Sequence, residues 1–260
     1  MRDSDEFVDR CITECSTTTG STNSNSLFHK IFVTVLAFNF GVPCLFVYGF
    51  GFFELMPQLK CNHELYGISI EQCVRERVCN KEILNYTIDY SHEFTIDNWV
   101  TDYNLLCVTN SEIGLFGSLL LAGFFFGSVF FVRLGDHLGR LPVILGSTLI
   151  STVALICCLI LSPTLPYLLL NIFIFGLTIA PRLIMSYVLA IELTPKEHHS
   201  YYSSLPMIFD SLGMIFLGVY FQQVRSMNPM IVGMIVANLI LIALIWHYIP
   251  ESPKFLYEKG

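Results

Sequence analysis

Six long apolar stretches divide this chain, and each contains at most one Asp, Glu, Lys or Arg. Their lengths are close to the ~20 residues that an α-helix needs to cross the hydrocarbon core of a bilayer. Lipid offers no partner for backbone polar groups, so every span must be helical. The predicted spans are residues 31–53, 113–132, 141–161, 165–191, 205–222 and 230–249. The predicted fold class is an all-α membrane protein, a bundle of six transmembrane helices with a large outer loop between helices 1 and 2.

The composition agrees with an integral membrane protein. Only 13% of the 260 residues are charged and 53% are hydrophobic, whereas soluble domains carry roughly 25% charged residues. A net charge of −7 without a basic cluster argues against nucleic-acid binding. The sequence contains no nucleophile–base set, phosphate loop or zinc spacing. Neither an enzyme nor a metal or cofactor site is therefore predicted.

The polar segments set the domain boundaries. Residues 1–26 are rich in small polar and acidic side chains and are predicted to form a disordered cytosolic tail. Residues 27–53 hold helix 1, residues 54–112 the outer loop, residues 113–249 helices 2 to 6, and residues 250–260 a cytosolic segment. The predicted orientation places both termini in the cytosol, because most basic residues of the short segments then lie on the cytosolic side. These are Lys30, Arg133, Arg140, Lys196, Lys254 and Lys259, against Arg225 alone in the short outer loops.

The outer loop carries an even set of cysteines. Four cysteines in a polar outer segment predict two disulfides in an oxidising compartment, with three pairings open and four free thiols as the alternative. The four are Cys61, Cys73, Cys79 and Cys107. The sequon Asn85-Tyr86-Thr87 lies in the same loop and predicts N-glycosylation of Asn85. Both features favour the plasma membrane, with an internal membrane as the alternative.

Two charges lie inside predicted spans, where an ionisable side chain is costly and marks a candidate functional site. Arg182 lies in the fourth span and Asp210 in the fifth. At ~1.5 Å per residue they fall at similar depths, ~13 Å and ~10 Å from the inner end. One interpretation is a buried ion pair between them. The other is that one of the two charges faces a substrate cavity.

Two short motifs at the inner ends of the spans resemble signatures of the major facilitator superfamily. The turn Gly135-Asp136-His137-Leu138-Gly139-Arg140 joins the second and third spans, and Pro250-Glu251-Ser252-Pro253 follows the sixth. Glu192, at the end of the fourth span, resembles a glutamate of the same family. The long cysteine-bearing loop, with its ending Asp97-Asn98-Trp99, resembles that of the organic-cation transporter family. The chain is thus identified as similar to the first six-helix half of such a transporter.

The resemblance implies roles for particular residues. In the family, the turn after helix 2 latches two halves together in one state, so Gly135, Asp136, Gly139 and Arg140 are conformational-motif candidates, together with Glu192, Pro250, Glu251, Ser252 and Pro253. Helices 1 and 4 line the cavity in the family, which adds Asn39 to Arg182 and Asp210 as a cavity candidate. The alternative for Asn39 is an interhelical hydrogen bond.

The resemblance also implies a function. A second half is needed to enclose the central site of this superfamily. We therefore expect transport of a small organic ion across the lipid bilayer, with a second half-transporter, a homodimer mate or a longer chain supplying the rest. The alternative is a degenerate half-transporter that serves as an accessory subunit of a larger membrane complex. It is motivated by departures from the family pattern, such as Val132 in place of a glycine and the lack of an arginine after Glu192.

Overall fold

The computed structural model describes residues 22–61, 73–81, 86–92, 94–160, 164–194 and 199–259, with side chains omitted for 22–29 and 258–259. Its elements in chain order are α1 Thr22–Phe53, β1 Leu59–Cys61, α2 Arg75–Cys79, β2 Tyr86–Ile88, α3 Trp99–Asp102, a 3₁₀ turn Leu105–Cys107, α4 Asn110–Phe126, a π turn Gly127–Phe131, α5 Val132–Leu138, α6 Arg140–Ile160, α7 Leu165–Glu192, α8 His199–Gln223, α9 Asn228–Tyr248 and α10 Pro253–Lys259.

Six helical segments are long and apolar enough to cross a membrane, which confirms the predicted six-helix bundle. The second span runs on through the π turn to Leu138, six residues beyond its predicted end, and α8 begins six residues early at His199. Extending an existing helix fixes one residue for each added hydrogen bond, so helices continue past the apolar stretch that predicts them.

The N-terminal tail was predicted to extend through residue 26. Helix α1 instead begins at Thr22, so residues 22–26 are helical, for the same reason of cheap helix extension. The rest of the predicted tail lies outside the described residues. The segment that follows the sixth span also forms a helix, α10, which the sequence did not predict.

Helices α1, α6 and α7 form the centre of the bundle. About half of the residues in each of these spans are buried (50%, 50% and 56%), against 22% for the α4–α5 span and 17% for α8. Helix α7 packs on α6 on one side and on α4 on the other, while α8 packs on α1 and α9 packs on both α6 and α1. The α4–α5 span and α8 therefore have the smallest buried fractions of the six spans.

Glycines allow α4 and α7 to touch backbone to backbone. A Cβ atom at Gly123 would collide with the carbonyl oxygen of Phe173, and one at Gly127 with that of Leu177. On the facing helix, a Cβ at Gly176 would collide with the carbonyl oxygen of Leu120. Small residues four apart are a common means of close helix association in membranes, where van der Waals packing replaces the hydrophobic effect.

Helix α8 packs on α1 through an alternation of small and large residues. Phe209 lies over Gly41, and Leu45 lies over Gly213 one turn further along both helices. The rings of Phe52 and Phe221 stack at the outer end, 4.4 Å apart. The shared direction of this series shows that the two helices run parallel.

Two disulfides cross-link the outer loop, as predicted, and the structure gives their pairing. Cys61 is bonded to Cys73, and Cys79 to Cys107. Strands β1 and β2 form an antiparallel pair. Asn98 anchors the end of the loop, since its Nδ2 donates to the carbonyl oxygens of Phe52 and Leu55 at the end of α1, at 2.9 and 2.8 Å. The predicted glycosylation site, Asn85, lies outside the described residues.

Candidate functional site

Arg182 is fully enclosed by the bundle, with 0% of its surface exposed. Its Nε donates to the backbone oxygen and the Oδ1 of Asn39, at 2.9 and 3.0 Å. Its Nη2 donates to Oδ1 of Asn238 at 2.8 Å, and its Nη1 to the hydroxyl of Ser151 at 3.3 Å. The guanidinium therefore joins α1, α6, α7 and α9 through neutral oxygens.

Asn39 connects this network to two further hydroxyls. Its Nδ2 donates to Ser186 Oγ at 2.8 Å, and its Oδ1 accepts from Thr148 at 3.2 Å. Six residues, Asn39, Thr148, Ser151, Arg182, Ser186 and Asn238, are all buried and are called the Arg182 cluster below. The interhelical hydrogen bond considered for Asn39 is present. A buried cation surrounded by dipoles from four helices holds those helices in one arrangement.

The ion pair considered between Arg182 and Asp210 does not form in this structure. Asp210 lies instead at the α1–α8 contact, where its Oδ2 accepts from the hydroxyl of Tyr48 at 3.0 Å. The physical reason is that α7, which carries Arg182, and α8, which carries Asp210, approach α1 from different sides. The donor nitrogens of Arg182 bond to oxygens of α1, α6 and α9 instead. Similar depth along the membrane normal did not imply the same face of the bundle.

The Asp210–Tyr48 pair is the more accessible of the two intramembrane sites. Asp210 is partly exposed and Tyr48 is 37% exposed. The Oδ1 atom of Asp210 is buried and makes no hydrogen bond of ordinary geometry among the described residues, although the Cys44 thiol interacts with this carboxyl group. Asp210 is the twelfth of the 25 residues of α8, so this carboxyl group lies near the middle of the span.

At the inner end, the predicted turn contacts the segment that follows α9. The carboxylate of Glu251 accepts from the backbone N–H of Arg140 at 3.0 Å and from that of Leu141 at 3.2 Å. It thereby caps the first turn of α6, where unpaired N–H groups favour an anion. Gly139 has a φ of 107° and lies against this carboxylate, a position that a side chain would not tolerate.

The Arg140 side chain completes this inner network. It pairs with Glu192 at 3.3 Å and with Asp136 at 3.7 Å, and its guanidinium lies 5.6 Å from the ring centroid of Phe255. Most of the predicted motif residues therefore meet within this chain. The predicted role of the turn as a latch between two halves stays a prediction.

The other motif residues have local roles. Gly135 lies within α5 rather than at the reversal after it, and it gives room to Met185 of α7. The Ser252 hydroxyl accepts from the N–H of Phe255 at 3.4 Å and caps α10, which begins at Pro253. Pro250 links the end of α9 to this cap.

Several functional residues were missed by reasoning from the sequence. Asn238, Ser151 and Tyr48 are single polar residues within apolar spans, and polarity alone does not tell which helix they face. The spacing Gly123-x-x-x-Gly127 was a usable signal, because small residues four apart mark close helix contacts in membranes.

Glu54, just beyond α1, carries a pH-dependent charge. Burial raises the pKa of its carboxyl from an ordinary 4.5 to about 7, with the Gly117 backbone acting in the opposite direction. The folded state therefore binds a proton that the unfolded state releases between these values, so stability falls as pH rises through that window. Glu54→Gln is expected to flatten this part of a melting-temperature profile against pH. Glu76→Gln, on the exposed surface of α2, is the control; a slope that survives Glu54→Gln contradicts the assignment.

Comparison with known proteins agrees with this geometry. Residues 44–259 match the family model of the Major Facilitator Superfamily. The chain is similar to an organic cation transporter-like protein of Drosophila melanogaster, with 25% identity over 171 residues, 66% of this chain and 30% of the relative. It is also similar to a solute carrier family 22 member 15-like protein of Xenopus laevis, with 30% identity over 190 residues, 70% of this chain and 38% of the relative.

A human relative gives the same result. The organic cation/carnitine transporter 2 of Homo sapiens is 25% identical over 173 residues, 66% of this chain and 31% of the relative. The chain spans about a third of the length of the curated relatives it matches.

Proposed function

Because this chain belongs to the major facilitator superfamily, we propose that it transports a small organic cation as the first six-helix part of a secondary transporter. Proteins of this superfamily bind their substrates near the bilayer midplane, at the interface between two six-helix halves. A second half contributes the rest of that interface, either within a longer chain or as a separate partner protein. The relatives named as organic cation transporters support the substrate class.

The observation that carries this proposal is the Asp210–Tyr48 pair. Asp210 is the one carboxyl group in the middle of a span among the described residues, and its buried oxygen Oδ1 lacks a hydrogen-bond partner of ordinary geometry. An unneutralised charge at this depth is costly, so a counter-cation stabilises it. Tyr48 supplies an aromatic ring beside the carboxylate, and aromatic faces attract ammonium groups.

Arg182 is excluded from this role by its burial. All three nitrogen atoms of its guanidinium already donate to partners in the Arg182 cluster. It could bind an anionic substrate only if the four helices around it separated. The proposed site therefore prefers cations over anions.

The test is uptake of tetraethylammonium, a permanent cation, by cells that produce the tagged protein. We expect saturable uptake that falls at least about tenfold in Asp210→Asn, the scale of one lost ion contact in a dry site. Ser211→Ala is the matched control, because this neighbouring hydroxyl bonds only within its own helix, to the Met207 carbonyl. Equal uptake by Asp210→Asn and the unmodified protein would show that Asp210 does not bind the cation.

The same cells distinguish the accessory-subunit alternative. A native gel run in a second, denaturing dimension gives the size of the complex and of the chain itself. A stable complex of fixed stoichiometry without cation uptake would favour an accessory subunit over a transporter. The plasma membrane is the proposed location, and surface biotinylation of the outer loop tests it.

A further inference from the structure

An apolar groove of about 290 Å³ lies between α5 and α6, with α7 as its floor. Leu134 and Leu138 form one wall, Pro142 and Gly146 the other, and Leu177 and Pro181 the floor. The groove starts near the inner ends of these helices and extends from Pro142 to Ile150, about 12 Å along α6 at 1.5 Å per residue. It is therefore a long slot in the inner half of the span.

The lining of this groove is almost entirely apolar. Its two hydroxyls, from Ser147 and Thr178, each donate to a carbonyl of their own helix, Ile144 at 3.0 Å and Phe175 at 2.6 Å. An apolar cavity of this kind stays dry and accepts apolar groups. In a membrane, the apolar groups at hand are the acyl chains of lipids.

The π turn separates this groove from the tightly packed part of the same span. Gly123, in α4 before the turn, and Gly127, the first residue of the turn, lie directly against the α7 backbone. The side chains of Phe131, the last residue of the turn, and of Leu134 and Leu138 beyond it line the groove. A π turn holds an extra residue and turns the helix face that follows it, and such turns often occur at functional sites.

Exposed basic residues accompany the groove-lining leucines along α5. Arg133 and His137 are exposed, one turn apart on α5, each next to a groove-lining leucine. Arg133 has no ion-pair partner among the described residues, whereas the neighbouring Asp136 is paired with Arg140. The cytoplasmic leaflet carries the anionic lipids, which attract basic residues at its surface.

We propose that this groove binds one acyl chain of an anionic phospholipid of the inner leaflet, with Arg133 contacting its phosphate group. The lipid fills the slot between α5 and α6 and so supports the turn that carries the inner network. This proposal does not depend on which ion the protein transports.

The test is native mass spectrometry of the purified full chain with equal amounts of phosphatidylserine and phosphatidylcholine of matched acyl chains. The unmodified protein is expected to retain one phosphatidylserine. Gly146→Leu fills the slot without displacing protein atoms, since a Cβ at Gly146 meets nothing within 4 Å. It is expected to lower lipid occupancy at least about tenfold, because each excluded methylene weakens binding severalfold.

Two variants separate the acyl chain from the headgroup. Gly233→Leu on α9, which also points into open space, is the matched control and is expected to retain the lipid. Arg133→Gln is expected to keep lipid binding but to reduce the preference for phosphatidylserine about fivefold, the contribution of one basic residue at an anionic surface.

A measurement on the unmodified protein keeps the test independent of variant folding. Phosphatidylserine with a photoreactive group in its acyl chain is expected to label peptides of α5, α6 or α7 at the groove. Labelling elsewhere, or undiminished lipid retention by a folded Gly146→Leu protein, would overturn the proposal. Equal retention of both lipids by the unmodified protein would overturn the choice of an anionic occupant.

Discussion

Gly123→Leu is expected to abolish the folded bundle. The new side chain would have to occupy the position of the Phe173 carbonyl and the Gly176 backbone on α7. Overpacking a core usually costs about 1–3 kcal/mol because side chains can shift. Here the obstacle is helix backbone, so relief requires α4 to move away from α7 along its whole length. We expect loss of the monodisperse peak in detergent size-exclusion chromatography.

Gly114→Leu in the same helix is the matched control. A Cβ at Gly114 meets nothing within 4 Å, so this variant adds the same atoms at the same helix propensity without a clash. It is expected to elute and melt like the unmodified protein. A folded Gly123→Leu protein of unchanged melting temperature would show that α4 and α7 are not in backbone contact.

Asn238→Leu is expected to destabilise the bundle through the Arg182 cluster. The Nη2 of Arg182 loses its acceptor at 2.8 Å and stays buried at 0% exposure. A hydrogen bond between membrane helices is worth about 0.6 kcal/mol on average, but an unpaired buried donor costs about 1–3 kcal/mol, and more when it is charged. We expect a loss of about 2 kcal/mol, seen as a drop in melting temperature of several degrees.

Two further variants identify the charge as the cause. Asn238→Asp places a carboxylate on the guanidinium and is expected to preserve stability, because it replaces a neutral acceptor with a charged one. Arg182→Met combined with Asn238→Leu removes both polar partners and is expected to be more stable than Asn238→Leu alone, as apolar replacement of buried ionic groups often is.

The control for these changes is Ser118→Leu. This exposed hydroxyl of α4 donates only to the Gly114 carbonyl of its own helix, so its loss should leave the melting temperature unchanged. If the double variant melts below Asn238→Leu, Arg182 stabilises the bundle by packing rather than by its hydrogen bonds.

We expect Asp210→Asn to lose cation transport but not lipid binding, and Gly146→Leu to lose lipid binding. Asp210→Asn removes the proposed cation contact at the α1–α8 junction, whereas Gly146→Leu acts between α5 and α6. A protein that loses lipid but keeps cation uptake would show that the groove serves stability or regulation alone.

The spans, the cysteine-bearing loop and the inner motifs could be predicted from the order of residues alone. Membrane insertion depends on apolar length, which can be counted along the chain, and no soluble fold competes for such stretches. Short motifs such as Gly135 to Arg140 and Pro250 to Pro253 are also local, so the inner region could be predicted before any contact was known. Helix ends moved by a few residues, because extension beyond the apolar stretch depends on neighbouring contacts.

Which polar groups meet could not be predicted in this way, because it depends on how the helices pack. Arg182 and Asp210 occur at similar depths in consecutive helices, yet Arg182 bonds to Asn39, Ser151 and Asn238 while Asp210 bonds to Tyr48. Pairing depends on the rotation of each helix about its axis, which is set by packing such as the glycine contact between α4 and α7. The disulfide pairing could not be predicted either, because the separation of cysteines along the chain does not fix their separation in space.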